Sequence, residues 1–375
     1  MSASANLHIS YLDSIRGLAA LTVITEHYVI AYGLPCQNFF CQALLDSSPF
    51  NFWWNGSAAV SMFFVLSGFV LSLKYFRHDS QLPSMAGFNL GQFMVARIMR
   101  IWLPYLAVLL ISGGFYSYQV SQDFPLTLLS SSAWVQQMWH GHPLTALDML
   151  RESFLLNLPS QVVLLPQAWT LSIELVLSLM LPVALLLLSR NIVWLVLFSF
   201  YAVMFLGVSA FLLHFVMGLI LARYYGLISM YLLTRPVWRF ATLLLGFALY
   251  SSANVWKDWL TENQLWLLTG VGASLILMYV FGSSLMQRSL SHPFLRQIGK
   301  VSYSAYLIHM LVLICITPLL LKTLELFSQN RLSLWLGGYF LSLLVVHGLS
   351  LWFYQKLEMP SISFGRRIGA VLNKD

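Results

Sequence analysis

Residues 11–33 read YLDSIRGLAALTVITEHYVIAYG. The run is apolar for about the twenty residues a helix needs to cross a bilayer, yet it carries Asp13, Arg16, Glu26 and His27. Arg16 and His27 are eleven residues apart, close to three turns, and so share one helix face, with Asp13 one turn before Arg16. At about 1.5 Å per residue, His27 lies roughly 16 Å above Arg16, near the middle of a hydrocarbon core about 30 Å thick. Ionisable groups at that depth are costly and point to function. A purely structural reading also exists: an interfacial Asp13–Arg16 ion pair and a neutral packing histidine. Neighbours on a helix diverge by about 100°, so Glu26 need not touch the imidazole.

The rest of the chain has the composition of a housing for this helix. Of 375 residues, 59% are hydrophobic and 9% charged, against roughly a quarter charged in soluble domains. Residues 1–10 are polar and show no cleavable signal pattern, so the first helix is expected to stay in the membrane. The net charge is +7, but no basic run with interleaved aromatics suggests nucleic acid. Apolar runs near 14–33, 57–76, 98–116, 170–189, 192–208, 209–225, 238–254, 264–282, 302–321 and 333–354 predict an all-α polytopic bundle of about ten transmembrane helices. Within 192–225 only Gly207, Ser209 and His214 interrupt the apolar run, so one long bent helix competes with two there.

Lysine and arginine set the orientation. With the N-terminus inside, sixteen of the twenty fall on the cytoplasmic side and Arg151, Lys257, Lys322 and Arg331 outside. Both termini are then cytoplasmic, in a multi-pass protein of the cytoplasmic (inner) membrane. The long connection, about 116–168, is external and carries Trp134, Trp139, His140 and His142; its apolar stretches 126–138 and 147–158 suggest interfacial amphipathic helices. Residues 1–375 read as a single transmembrane domain with no appended soluble domain and a basic C-terminal tail. Cys36 and Cys41 share the first external loop, where a disulfide and two free thiols are both open. No cysteine has metal-ligand spacing, and no metal is expected.

Several motifs carry candidate chemistry. Arg97 and Arg100 stand one turn apart in QFMVARIMRIWLPY, with Lys74 and Arg77 at the end of the preceding span; forked guanidinium groups suit phosphates, and positive-inside anchoring is the plain alternative. Ser67 and Gly68 in FFVLSGFVLS permit a close helix approach. Glu174 follows Trp169-Thr170-Leu171-Ser172-Ile173 and belongs in the bundle interior, where it either serves chemistry or pairs with an arginine. Residues 299–309, GKVSYSAYLIH, bring His309 to roughly 13 Å above the cytoplasmic boundary. Counting down from the external face puts Glu174 within about 10 Å of the same level, so His27, Glu174 and His309 can approach one plane. His214 and His347 read as buried, hydrogen-bonded residues.

The run 11–20 with His27, the Arg97/Arg100 motif ahead of Trp102 and Pro104, the aromatic and small polar residues before Glu174, and the 299–309 segment resemble, in order, the signatures of the acyltransferase 3 family. Glu26 departs from that pattern. The resemblance implies a membrane enzyme that O-acylates carbohydrates, with His27, Glu174 and His309 in catalysis and Arg97, Arg100, Arg16 and Lys74 near the phosphates of a cytoplasmic acyl-coenzyme A. It implies acetyl-coenzyme A or another acyl donor as co-substrate, and a glycan or glycolipid acceptor. Histidine has the pKa to take a proton from an attacking hydroxyl near neutral pH; direct attack and an acyl-histidine intermediate are both open. A polytopic transporter is the rival class, since buried charges suit it equally.

Overall fold

A computed structural model describes residues 9–34, 49–77, 80–85, 88–119, 129, 132–134, 139, 142–156, 158 and 162–371. Cys36, Cys41, His140 and most of the stretch 126–138 lie outside these. Helix α1 runs Ser10–Tyr32 and ends at Gly33, whose φ of 74° is the left-handed cap that glycine supplies without strain. α2 (Gly56–Leu73) starts where the Asn55 side chain accepts the Ala58 N–H at 3.0 Å. A short antiparallel ladder, β1 (Phe76–Arg77) with β2 (Ser80–Pro83), precedes the long α3 (Leu90–Gln119). α4 (Ala146–Ser153) opens on a Thr145–Asp148 capping box. α5 (Ala168–Leu179) and α6 (Leu181–Arg190) are one apolar run bent by 48° at the approach to Pro182. α7 (Ile192–Phe205) and α8 (Phe211–Arg223) are parted at Gly207, φ 68°, so two helices stand where one long helix competed.

α9 (Tyr225–Thr234) follows α8 after a 72° bend. Then come α10 (Pro236–Tyr250), α11 (Ser252–Trp256), α12 (Glu262–Phe281), α13 (Ser284–Leu290) and α14 (Pro293–Lys300). The last third is two long runs, each interrupted by a π turn: α15 (Ser302–Leu311), a π turn at Val312–Ile316 and α16 (Thr317–Leu324), then α17 (Arg331–Phe353), a π turn at Tyr354–Glu358 and α18 (Met359–Val371). Both π turns end two residues before a proline, Pro318 or Pro360. A proline has no N–H and its ring crowds the preceding turn, so Thr317 and Met359 direct their N–H groups five residues back, to Val312 and Tyr354. The stretch from Gly365, expected as a basic tail, is helical to Val371.

Helices stand at all ten predicted places. Among the described residues five runs are long and apolar enough to cross a membrane, or seven when each bent pair counts as one. Among the described residues the chain is thus all-helical apart from the small ladder, and it is a multi-pass membrane protein. α1 has the length but is not one of the five, and α7 and α10, at 14 and 15 residues, fall short of the roughly twenty a span needs.

The chain packs as two compact units. In the first (residues 1–22, 45–90 and 176–300), α2 crosses α8 backbone to backbone: a Cβ at Gly68 would overlap the Phe215 carbonyl, and one at Gly218 the Val65 carbonyl. Packing is therefore the role of Gly68. His214 is fully buried and its Nε2 pairs with the Trp266 carbonyl at 2.8 Å, the hydrogen-bonded core histidine expected. The second unit (residues 23–44, 91–175 and 301–375) has Ile24, Ala305, Val312 and Val346 at its core. The upper half of α1 is clamped there. Tyr28 donates to the Trp335 carbonyl at 3.0 Å, Tyr32 to that of Leu313 at 2.7 Å, and Trp335 Nε1 to that of Gly33 at 2.8 Å.

Candidate active site

His27 and His309 meet inside the second unit. The clamp on Tyr28 and Tyr32 fixes the rotation of α1, and this turns His27 toward α15, where its Nδ1 lies 2.9 Å from His309 Nε2. His309 is fully buried, and its Nδ1 lies 2.7 Å from the Tyr306 carbonyl, which only accepts. The chain of acceptors assigns the protons. His309 carries hydrogen on Nδ1, so its Nε2 accepts, and His27 must donate from Nδ1. A neutral His27 then holds its lone pair on Nε2, the nitrogen left over for chemistry.

Residues 132–134, between α3 and α4, pack over this pair. Ser132 N–H donates to the Ala31 carbonyl at 2.7 Å, and the Trp134 ring lies parallel to the His27 imidazole, 8° between planes and 5.8 Å between centroids. An indole over an imidazole excludes water from one face of the ring and offers an apolar plane beside Nε2. Nothing in the spacing of Trp134 from the span signals this placement; only the loop's aromatic content did.

Glu174 sits with Arg97 instead of with the histidines. Arg97 is 8% exposed, and its Nη2 lies 3.5 Å from Glu174 Oε1. The structural alternative for Glu174, pairing with an arginine, is what the fold contains. The level follows from the helix ties. Thr170 Oγ1 meets the Tyr306 hydroxyl at 2.6 Å, and Gln167 Nε2 donates to the Leu307 carbonyl at 2.8 Å; α5 descends from there, so Glu174 is one turn lower, near Tyr303. That places it about 9 Å below His309 along α15. Tyr303 donates to the Ile101 carbonyl at 2.6 Å and is within electrostatic reach of Glu174, Glu358, Arg97 and Arg100. Arg100 is exposed one turn from the buried Arg97, so the two guanidinium groups have different surroundings. Arg16 and Lys74 belong to the first unit. Sequence reasoning passed over Glu358, which is 4% exposed and accepts from Ser304 Oγ at 2.7 Å; a carboxylate beside the π-turn proline Pro360 was the available signal.

Comparison with known proteins gives the family. The acyltransferase domain that defines the acyltransferase 3 family matches residues 9–351, a span that holds His27, Arg97, Glu174 and His309. The chain belongs to the acyltransferase 3 family. A protein called Acyltransferase R4, from Phoma sp. (strain ATCC 20986 / MF5453), is 25% identical over 169 residues, 36% of this chain. The chain matches 36% of that relative's own length. No solved structure matches.

In this acyltransferase 3 chain α4 packs against α3 and the start of α5. The helix expected over 147–158 spans Ala146–Ser153 and is docked on α3: Trp102 Nε1 donates to the Ser153 carbonyl at 2.7 Å and the Tyr105 hydroxyl to that of Glu152 at 2.8 Å. Ser172 donates to the Leu155 carbonyl from α5, and Leu155 adopts φ 55° to close the turn. The opposite face of α4 exposes Leu147, Leu150 and Phe154, as an interfacial helix does. Burial pushes the Glu152 carboxyl up to about 7; the backbone N–H of Leu164 opposes this, the charge of Asp148 adds to it, and the N–H of Leu165 opposes it. A raised carboxyl pKa favours the docked segment below the ordinary carboxylate range, and that contribution is lost as pH rises through about 7. Hydrogen exchange of residues 146–156 is therefore expected to quicken between about pH 4.5 and pH 7 beyond its intrinsic rate, and Glu152→Gln to remove the difference. A pH-independent wild type would contradict this.

Proposed function

We propose that the protein moves an acyl group, acetyl in the first instance, from cytoplasmic acyl-coenzyme A to a hydroxyl of a cell-envelope glycan or glycolipid, from within the cytoplasmic membrane. The observation that supports it best is the relay from the Tyr306 carbonyl through His309 to His27, which leaves one imidazole nitrogen basic and shielded. In direct transfer, His27 Nε2 takes the hydroxyl proton as the acceptor oxygen bonds to the thioester carbonyl carbon. The imidazolium is stabilised by its Nδ1–H bond to His309. As the carbon–sulfur bond breaks, Nε2–H returns the proton to the leaving thiolate, and the pair is reset. His309 acts as an orienting residue that holds the His27 tautomer, and Trp134 keeps water from the ring. An acyl group carried transiently on Nε2 uses the same nitrogen.

On this reading Arg100, exposed on the side that the lysine and arginine distribution makes cytoplasmic, meets donor phosphate, and the Arg97–Glu174 pair fixes α3 against α5. Arg100→Ala is expected to weaken acetyl-coenzyme A binding on the order of ten- to a hundredfold, the cost of one charge-assisted contact of about 1.5–3 kcal/mol. Lysine should restore only part, since the ammonium keeps the charge and loses the fork. Calorimetric titration of the purified variants checks this, and unchanged affinity in Arg100→Ala would remove it from the donor site. Function itself is tested by mass spectrometry of envelope glycans from cells with and without the protein: a lost acyl mass is expected, and identical glycans would contradict the acceptor class. The two bent helix pairs, α5–α6 and α8–α9, are also natural in transporters; vesicle uptake independent of coenzyme A would favour that reading.

A further inference from the structure

Glycine sets the spacing between α3 and α18 in the second unit. A Cβ at Gly365 would fall 2.8 Å from Met99 Cβ, and one at Gly369 2.8 Å from Gln92 Cγ. With Ser361 these form a row of small residues at four-residue intervals, and the helices close on each other along it. Toward Pro360 and the π turn the row ends, and a cleft of about 600 Å³ opens between the two helices. α3 lines it with Leu103, Leu106 and Leu110; the other wall contributes Phe364, Lys356 and Arg367, and no acidic side chain lines it. Lys356 and Arg367 are exposed, and among the described residues neither makes a hydrogen bond or ion pair. Eleven residues separate them, about three turns, so one cation stands toward each end of an apolar trough.

We infer that this cleft holds one anionic phospholipid, with its phosphate on Arg367 and an acyl chain along Leu103, Leu106 and Leu110. The leucine wall suits a hydrocarbon chain whatever the headgroup. The cations decide the class: unpaired basic side chains beside a helix–helix groove of a membrane protein attract phosphate and favour a net negative headgroup over a zwitterionic one. Arg367 stands beside Arg366 in the last turns of α18, and Lys356 makes the field along the trough positive.

Native mass spectrometry of the purified full chain in detergent, titrated with phosphatidylglycerol or phosphatidylcholine, tests this. Phosphatidylglycerol should be retained roughly tenfold more tightly, and the exposed pair of changes Lys356→Gln and Arg367→Gln, made together, should abolish the preference. Leu106→Trp, which fills the trough and keeps both charges, should lower retention of both lipids. Equal retention by the wild type, or a preference that survives the double variant, overturns the proposal. Millimolar inorganic phosphate that displaces phosphatidylglycerol also overturns it, because the site would then recognise phosphate without the chain. Should Leu106→Trp fail to fold, the double variant decides alone.

Discussion

Replacing His27 with alanine is expected to lower kcat for acyl transfer by roughly 10² to 10⁴, the contribution of a positioned general base. The expectation rests on one atom. His27 Nδ1 is committed to His309 at 2.9 Å, so Nε2 is where a hydroxyl proton can go, and alanine leaves nothing there. The substitution also strips His309 Nε2 of its partner in a fully buried place, which costs about 1–3 kcal/mol. Stability must therefore be followed with activity, by fluorescence-detected size exclusion. His309→Ala should cost less in kcat, since His27 survives without its orienting acceptor, and it should change the pH–rate profile more than KM. Near-normal turnover in a well-folded His27→Ala would reduce this histidine to packing.

Arg97→Ala should produce the other large effect, through stability as much as through turnover. It leaves Glu174, two-thirds buried, without its cation, and a broken pair in such surroundings costs more than the pair contributes when whole. A loss of about 1–3 kcal/mol is expected once the carboxylate's partial exposure is allowed for. The decisive variant is the double one. Arg97→Ala with Glu174→Ala should be more stable than Arg97→Ala alone, because no charge is then stranded. Equal melting temperatures for the single and double variants would show that the pair carries no energy worth counting.

The sequence announced the helices and which residues to look for around His27. Apolar length placed α1 to α3 and the late long runs, since length and hydropathy are local properties, and Gly207 marked a break that glycine's left-handed backbone requires. Two counts of helical rise together with the family resemblance put His27 and His309 near one plane, and the structure adds that their ring nitrogens meet at 2.9 Å. Those same counts put Glu174 within about 10 Å of that level, which the structure keeps, but rise along a helix does not name the neighbour a side chain faces: the ties of Thr170 and Gln167 to α15 set Glu174 beside Arg97. Arg97 and Arg100, alike in the sequence, have different surroundings, because Arg97 faces the partner helix that carries Glu174 and Arg100 is exposed. The π turns were legible in principle from Pro318 and Pro360, yet the shift in facing they impose, which brings Glu358 to Ser304, depends on the packed partner. The covering of His27 by Trp134 is a long-range contact that no local pattern encodes.

The account stands most directly on transfer of label. Purified protein reconstituted in lipid, given acetyl-coenzyme A labelled in the acetyl group and an envelope glycan extract, is predicted to pass label to an ester-linked, alkali-labile glycan product, and His27→Ala of equal fold and insertion is predicted not to. Label that reaches the glycan equally well with His27→Ala, or no transfer by the wild type across glycan and glycolipid acceptors, would contradict it.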